Sequence, residues 1–176
     1  MIFLFLTFQI TPMNYDIQSK IYADFKAFKP TLKQWKASGE IVVFTNGCFD
    51  IIHHGHVDSL QKSAAFGTKL IVGLNSDKSV ELLKGKNRPV FSQQARALMI
   101  AALAFVDAVI IFTEETPADL IALINPDFLV KGKQYEVHEI AGHETVLANG
   151  GHVETLDLVP DISTSEVIRR IKELDE

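Results

Sequence analysis

Cysteine is almost missing from this sequence: Cys48 is the only one in 176 residues. No internal disulfide can form, so stability must come from a packed core. A chain without disulfides fits a reducing, cytoplasmic setting. Basic charge is short as well. The sequence has 17 Lys and Arg against 22 Asp and Glu, a formal net charge of −5. That argues against a general nucleic-acid binder, which carries a basic excess. No apolar run reaches the ~20 residues of a membrane span. The apolar start, Met1 to Ile10, lacks the basic residues and the small-residue cleavage site of an export signal. It reads as extra sequence ahead of a natural beginning at Met13. There are no repeats and no low-complexity tracts. The G-x-x-x-x-G-K-[ST] phosphate loop is absent too.

What is present is a large apolar content, 47% of residues, enough for one domain with a substantial core. Two parts are expected: a tail and helical segment over 1–40, and the main domain over 41–176. Within the first, Ile17, Ile21, Phe25, Phe28, Leu32 and Trp35 fall at helical spacing. They predict one or two amphipathic helices over 16–38, broken or restarted at Pro30. Beyond residue 40, apolar and β-branched runs lie at 41–44, 70–74, 106–112, 127–130 and 152–156, with helical patterns between them. Five strands alternating with helices predict an α/β fold: a Rossmann-like, doubly wound, five-stranded parallel sheet with right-handed crossovers.

The stretch from Ile41 to His56 organises the chain. Ile41-Val42-Val43-Phe44 reads as a strand buried on both faces. Asn46-Gly47 turns the chain, and a helix follows Gly55 and His56. The first turn of a helix presents unpaired N–H groups and a positive dipole, so this corner suits phosphate. Gly47 and Gly55 allow close approach of a ligand to the backbone. His53 and His56 add imidazole donors on one side of the corner. Three histidines so close, with Asp50, also admit a metal site. Cys48 reads as a small residue that fits the turn.

Other polar clusters fall at strand or helix ends. Asn75-Ser76-Asp77 ends the second strand, where ligands of parallel sheets sit, and also reads as a helix cap. Lys84, Lys86 and Arg88 lie in a Gly/Pro-containing loop, either an anion site or an ordinary exposed loop. Arg96 follows a cap at Ser92. Ser163-Thr164-Ser165, with Glu166 three residues after Ser163, reads as a capping box and as a hydroxyl cradle for phosphate.

Gly47-x-Phe49-Asp50-x-x-His53-x-Gly55-His56, in its strand–turn–helix context, resembles the HxGH signature of the cytidylyltransferase-like nucleotidyltransferases. Thr45 to Asp50, Lys84-Gly-x-x-Arg88-Pro-Val90, Val130-Lys131-Gly132 and Glu139 to Gly142 resemble the branch that makes ADP-heptose. The resemblance covers about residues 41 to 172. It implies attack by a sugar 1-phosphate, D-glycero-β-D-manno-heptose 1-phosphate, on the α-phosphorus of ATP. Catalytic roles then fall to His53, His56, Lys84 and Arg88. Asn46, Gly47, Cys48, Phe49, Gly55, Asn75, Asp77, Arg96, Ser163, Thr164 and Ser165 would bind the nucleotide. Lys84 and Lys131 would hold the sugar phosphate, and Glu139 to Gly142 would form a lid. Mg²⁺ would enter with ATP. ATP and the sugar phosphate are the expected partners, with no nucleic acid or membrane, and a homodimer is open. Gln134 stands where the branch has an acidic residue. A glycerol-3-phosphate or other alcohol-phosphate cytidylyltransferase is the alternative, disfavoured because Leu158-Val159-Pro160 carries no basic residue. A non-catalytic nucleotide-binding or His-metal module is the alternative of another class; it would bind ATP without releasing pyrophosphate.

Overall fold

A computed structural model describes residues 16–174; the apolar N-terminus and the reading of Met13 as its natural beginning lie outside them. Six parallel strands form one sheet: β1 (Ile21–Tyr22), β2 (Val42–Gly47), β3 (Lys69–Asn75), β4 (Ala108–Phe112), β5 (Phe128–Gly132) and β6 (His152–Leu156). Their order is β1-β4-β3-β2-β5-β6. The five expected strands are all there. The sixth, β1, adds an edge beside β4, with Ile21 opposite Val109 and Tyr22 opposite Ile110.

Successive strand residues point to opposite faces, and the core divides accordingly. Val42, Phe44, Ile71, Ala108, Ile110 and Leu129 pack on one side. Val43, Leu70, Val72, Leu74, Val109 and Val130 pack on the other. Helices cover both faces, which is why these strands read as unbroken apolar runs. The helices α1 (Phe25–Ala37), α5 (Ala118–Ile124) and α6 (His143–Ala148) bring Phe28, Leu32, Leu120, Ile121, Ile124 and Val146 to the first face. On the second, α2 (His54–Ala64) and α4 (Gln93–Ala101) bring Leu60, Ala97, Ile100 and Ala101. The remaining helices, α3 (Asp77–Lys84) and α7 (Thr164–Glu173), begin beyond the carboxyl ends of β3 and β6.

The expectation for 16–38 needs correction. Residues Ile17–Lys20 form a single 3₁₀ turn and Ile21–Tyr22 a strand, so only Phe25–Ala37 is α-helical. Its start is fixed by Asp24, whose carboxylate accepts from the Ala27 amide at 2.8 Å. Pro30 lies inside this helix and does not end it. An interior proline costs about 3 kcal/mol. Burying Phe28 and Leu32 on either side of it contributes roughly 3–6 kcal/mol together, enough to outweigh that cost.

Candidate active site

The strand order reverses at β2, which has β3 on one side and β5 on the other. Crevices form outside the carboxyl ends of strands at such a point. Here a cavity of about 550 Å³ opens, within the usual range for a small-molecule site. Its walls come from the β2–α2 corner, the ends of β3 and β5, the end of α3, the β4–α5 loop and the start of α7.

The corner itself is tightly built. Phe49 has a φ of 45°, a left-handed conformation rare for a bulky residue. Packing holds it there: its ring meets the His56 ring edge-on at 5.2 Å. The absence of a side chain at Gly47 makes room, since a Cβ there would lie 3.0 Å from the Phe49 ring. His53 is the N-cap of α2 but makes no side-chain cap; His56 N donates to the His53 carbonyl at 2.9 Å, while the His54 and Gly55 amides at the start of the turn have no side-chain partner.

The His53 and His56 rings are stacked, with centroids 3.7 Å apart. Both Nδ1 atoms are buried and have no partner in the protein. A buried polar atom without a partner carries a cost of about 1–3 kcal/mol, which a bound ligand can remove. Burial, with the neighbouring His53 ring, holds His56 down to about 4, the Ile51 backbone acting the other way. His53 is lowered too, by burial and by His54. Two positive rings this close would repel by roughly 4 kcal/mol at an effective dielectric of about 20. Burial therefore favours the neutral form of both rings. His54 is exposed and does not line the cavity. Among the described residues, no three His, Cys, Asp or Glu side chains converge as a metal site.

Gly55 is needed between them. A Cβ there would sit 2.9 Å from Ile162 Cγ2 and 3.1 Å from His53 Nδ1. Gly55→Ala should push the His53 ring out of its stack and lower kcat about 10- to 100-fold, as small misplacements do. Steady-state kinetics beside a thermal melt would separate this from unfolding. A kcat within threefold of wild type would show that the stacking is dispensable.

Asp50 is fully buried and accepts from the Arg88 guanidinium, the Val90 amide at 2.7 Å and the Phe91 amide at 3.1 Å. The backbone N–H groups that Asp50 holds belong to the 88–91 loop. Arg88 lines the cavity with its Nε committed to this pair. Lys84, at the end of α3, is exposed and also lines the cavity.

Lys131 sits at the end of β5 and donates to the Asn46 backbone oxygen and Asn46 Oδ1, both at 3.1 Å. Its ammonium is enclosed, and burial pushes it down to about 8, with the Cys48 side chain opposing. The charge is therefore present below pH 8 and lost above. If Lys131 binds an acceptor phosphate, the acceptor KM should rise as pH passes 8, up to about tenfold per pH unit. A pH profile of kcat/KM for the acceptor, compared with that of Lys131→Arg, tests this. Burial raises the Cys48 thiol against the pull of Lys84, Arg96 and Arg88, so it stays protonated and suits a turn-filling role.

Asn46, Gly47, Cys48, Phe49, Gly55, Asn75, Ser163, Thr164 and Ser165 all line the same cavity as the two histidines. Ser163 caps α7, its hydroxyl accepting from Glu166 N at 3.1 Å. Only this half of the capping box forms, because the Glu166 carboxylate turns to Arg169 and Arg170. Asp77 and Arg96 do not reach the cavity wall. Arg96 is wholly buried, which also rules out its reading as a surface residue. Its guanidinium donates to the carbonyls of Phe91 (3.0 Å), Cys48 (2.6 Å) and Asn75 (2.9 Å) and to Asp77 Oδ1 (2.7 Å). It ties three walls together from beneath. Glu139 to Gly142, expected as a lid, do not line the cavity either, and Ile140 is anchored in the core. Sequence reasoning passed over Thr45, Ser59 and Glu115, which do line it. Glu115 follows the carboxyl end of β4, and the strand-end rule applied to that strand would have found it.

The sequence matches the cytidylyltransferase-like family model over residues 44–170. Bifunctional protein HldE of Azorhizobium caulinodans is 50% identical over 138 residues, 78% of this chain and 29% of that protein. Bifunctional protein HldE of Wolinella succinogenes is 51% identical over 140 residues, 80% of this chain and 29% of that protein. The chain thus spans under a third of the length of these curated relatives. Among solved structures, the lipopolysaccharide core biosynthesis protein of Thermoplasma volcanium has a TM-score of 0.57 at 28% identity, over 69% of this chain and 98% of that one. Pantoate-beta-alanine ligase of Francisella tularensis also gives 0.57, at 13% identity over 89% and 79% of the two chains, a likeness of fold alone.

Proposed function

The chain belongs to the cytidylyltransferase-like family, and we propose that it joins a sugar 1-phosphate to the AMP moiety of ATP, releasing pyrophosphate. The proposed sugar is D-glycero-β-D-manno-heptose 1-phosphate and the product an ADP-sugar. One observation carries the reading: the stacked His53–His56 pair and the Ser163-Thr164-Ser165 helix start open on one cavity. The relatives support it, since the HldE proteins are about half identical and a solved relative serves lipopolysaccharide core biosynthesis.

In this reaction an oxygen of the sugar phosphate attacks the α-phosphorus in line. The bond from that phosphorus to the bridging oxygen breaks, and the electron pair leaves with pyrophosphate. The nucleophile is already an anion, so no general base is required. The protein's task is alignment and offsetting charge. His53 and His56 donate N–H groups to the phosphate oxygens. The uncapped first turn of α2 and the remaining N–H groups at the start of α7 direct backbone donors and dipoles at the triphosphate. Lys84 and Lys131 hold the acceptor phosphate. Arg88, held by Asp50, keeps the 88–91 loop against the corner.

Mg²⁺ enters as the ATP complex. Of the two carboxylates lining the cavity, Asp50 already holds three donors, so few protein ligands would be left for the ion, whose charge would offset that of the phosphates. Among the described residues no helix is long and apolar enough to cross a membrane. Action in the cytoplasm fits the single cysteine and the charged, small-molecule substrates.

A pyrophosphate-release screen crossing ATP, CTP and GTP with heptose 1-phosphate, glycerol 3-phosphate and ethanolamine phosphate tests the assignment. ATP with the heptose should give the highest kcat/KM. Preference for CTP with glycerol 3-phosphate would move the chain to the alcohol-phosphate branch. Release with no pair, despite ATP binding, would leave a non-catalytic module.

A further inference from the structure

Glu115 has no place in the chemistry above, yet it stands in the cavity wall. Its neighbour Glu114 is fully engaged: the carboxylate accepts from Thr113 N at 2.9 Å, and the backbone oxygen accepts from Ser79 Oγ at 3.3 Å. The Ser76 amide also donates to the Phe112 carbonyl at 2.8 Å, fastening this loop to the start of α3. Glu115 itself makes no hydrogen bond or ion pair among the described residues.

Glu115 is exposed on the cavity wall, so water solvates it in the free protein and an entering anion meets its charge. Once the Asp50–Arg88 pair is set aside, the lining charges are Lys84, Lys131 and Glu115. A free carboxylate there repels every phosphate that enters. It is not required as a base, because the attacking phosphate oxygen carries no proton. Its remaining uses are to bind a metal ion or to accept hydrogen bonds from neutral hydroxyls. Strand order separates these. Glu115 follows β4, two places from β2 on one side, while the Ser163–Ser165 cradle follows β6, two places away on the other. Glu115 thus enters the wall from the β3–β4 side, the side that also supplies Lys84, and the Ser163–Ser165 cradle enters from the β5–β6 side.

We propose that Glu115 is a specificity residue that accepts hydrogen bonds from the hydroxyls of a polyhydroxylated acceptor, so that the site selects a sugar phosphate over a bare phosphate. The proposal rests on the adenylyltransferase reading and adds to it the group that reads the sugar. A sugar hydroxyl offsets the repulsion with a charge-assisted hydrogen bond, whereas the O–H groups of inorganic phosphate sit on the anion itself and bring its charge with them. Removing the carboxylate should therefore act in opposite directions on the two ligands.

The test uses Glu115→Ala and Glu115→Gln in the full chain, with heptose 1-phosphate as acceptor and inorganic phosphate as a competitive inhibitor against it. For Glu115→Ala the acceptor KM should rise about 10- to 100-fold, as expected for losing a hydrogen bond to a charged group. The KM for ATP should stay within twofold, and the inhibition constant of phosphate should stay level or fall. Glu115→Gln, which keeps an acceptor oxygen without the charge, should lie between. An unchanged acceptor KM would overturn the proposal. So would a defect confined to ATP, or one abolished by raising Mg²⁺, which would make Glu115 a nucleotide or metal group. Wild-type protein that releases no pyrophosphate with any sugar phosphate would instead sink the adenylyltransferase reading beneath it.

Discussion

His56→Ala should lower kcat by about 10²–10³ while leaving the fold intact. Transition-state donors of this kind are worth roughly 2.7–4 kcal/mol when removed singly. His56 qualifies on three counts. It lines the cavity, its Nδ1 has no protein partner, and burial with the His53 ring holds its pKa down to about 4. On the proposed reading it meets the nucleotide as an uncharged ring at any pH well above 4. His54, two residues away, is exposed and outside the cavity, so His54→Ala should change kcat less than threefold, about 0.65 kcal/mol. Comparing the two variants in one assay fixes the register of the motif. Equal losses, or a threefold loss at His56, would mean that the imidazoles do not act on the phosphates.

Arg96→Met should destabilise the protein by about 3–5 kcal/mol, because breaking a buried charged network from one side leaves its partners unpaired. Three carbonyls, those of Cys48, Asn75 and Phe91, would lose their donor, along with the Asp77 carboxylate. For a chain of this size that corresponds to a fall in Tm of about 6–20 °C. Arg96→Lys keeps the charge but lacks the planar fork that reaches four acceptors, so it should recover only part of the loss. Urea unfolding with an unchanged slope would measure the difference. A cost below about 1 kcal/mol would show that the cavity walls do not depend on this clamp.

The central strands β2, β3 and β4 were legible because they are largely buried on both faces and carry long apolar runs. The edge strand Ile21–Tyr22 was not, since two residues carry no period, and Ile17, Ile21 and Phe25 imitate a helical face. The His53–Gly55–His56 corner and the Ser163–Ser165 start were legible as local motifs. Their meeting across a cavity was not, because more than a hundred residues of chain separate them. Arg96 looked like a nucleotide-binding group. Its partners lie 5 to 48 residues away, and only the folded chain gathers them. Gln134, singled out as a departure from the branch, does line the cavity and packs over Gly132, where a Cβ would lie 2.4 Å from its Oε1.

The most direct measurement follows the α-phosphorus itself. ATP labelled at that atom is incubated with heptose 1-phosphate and the protein, and the products are separated. The label should appear in a nucleotide-linked sugar, with unlabelled pyrophosphate released in equal amount. Label recovered in free ADP, or in AMP formed without the sugar phosphate, would contradict adenylyl transfer at this cavity.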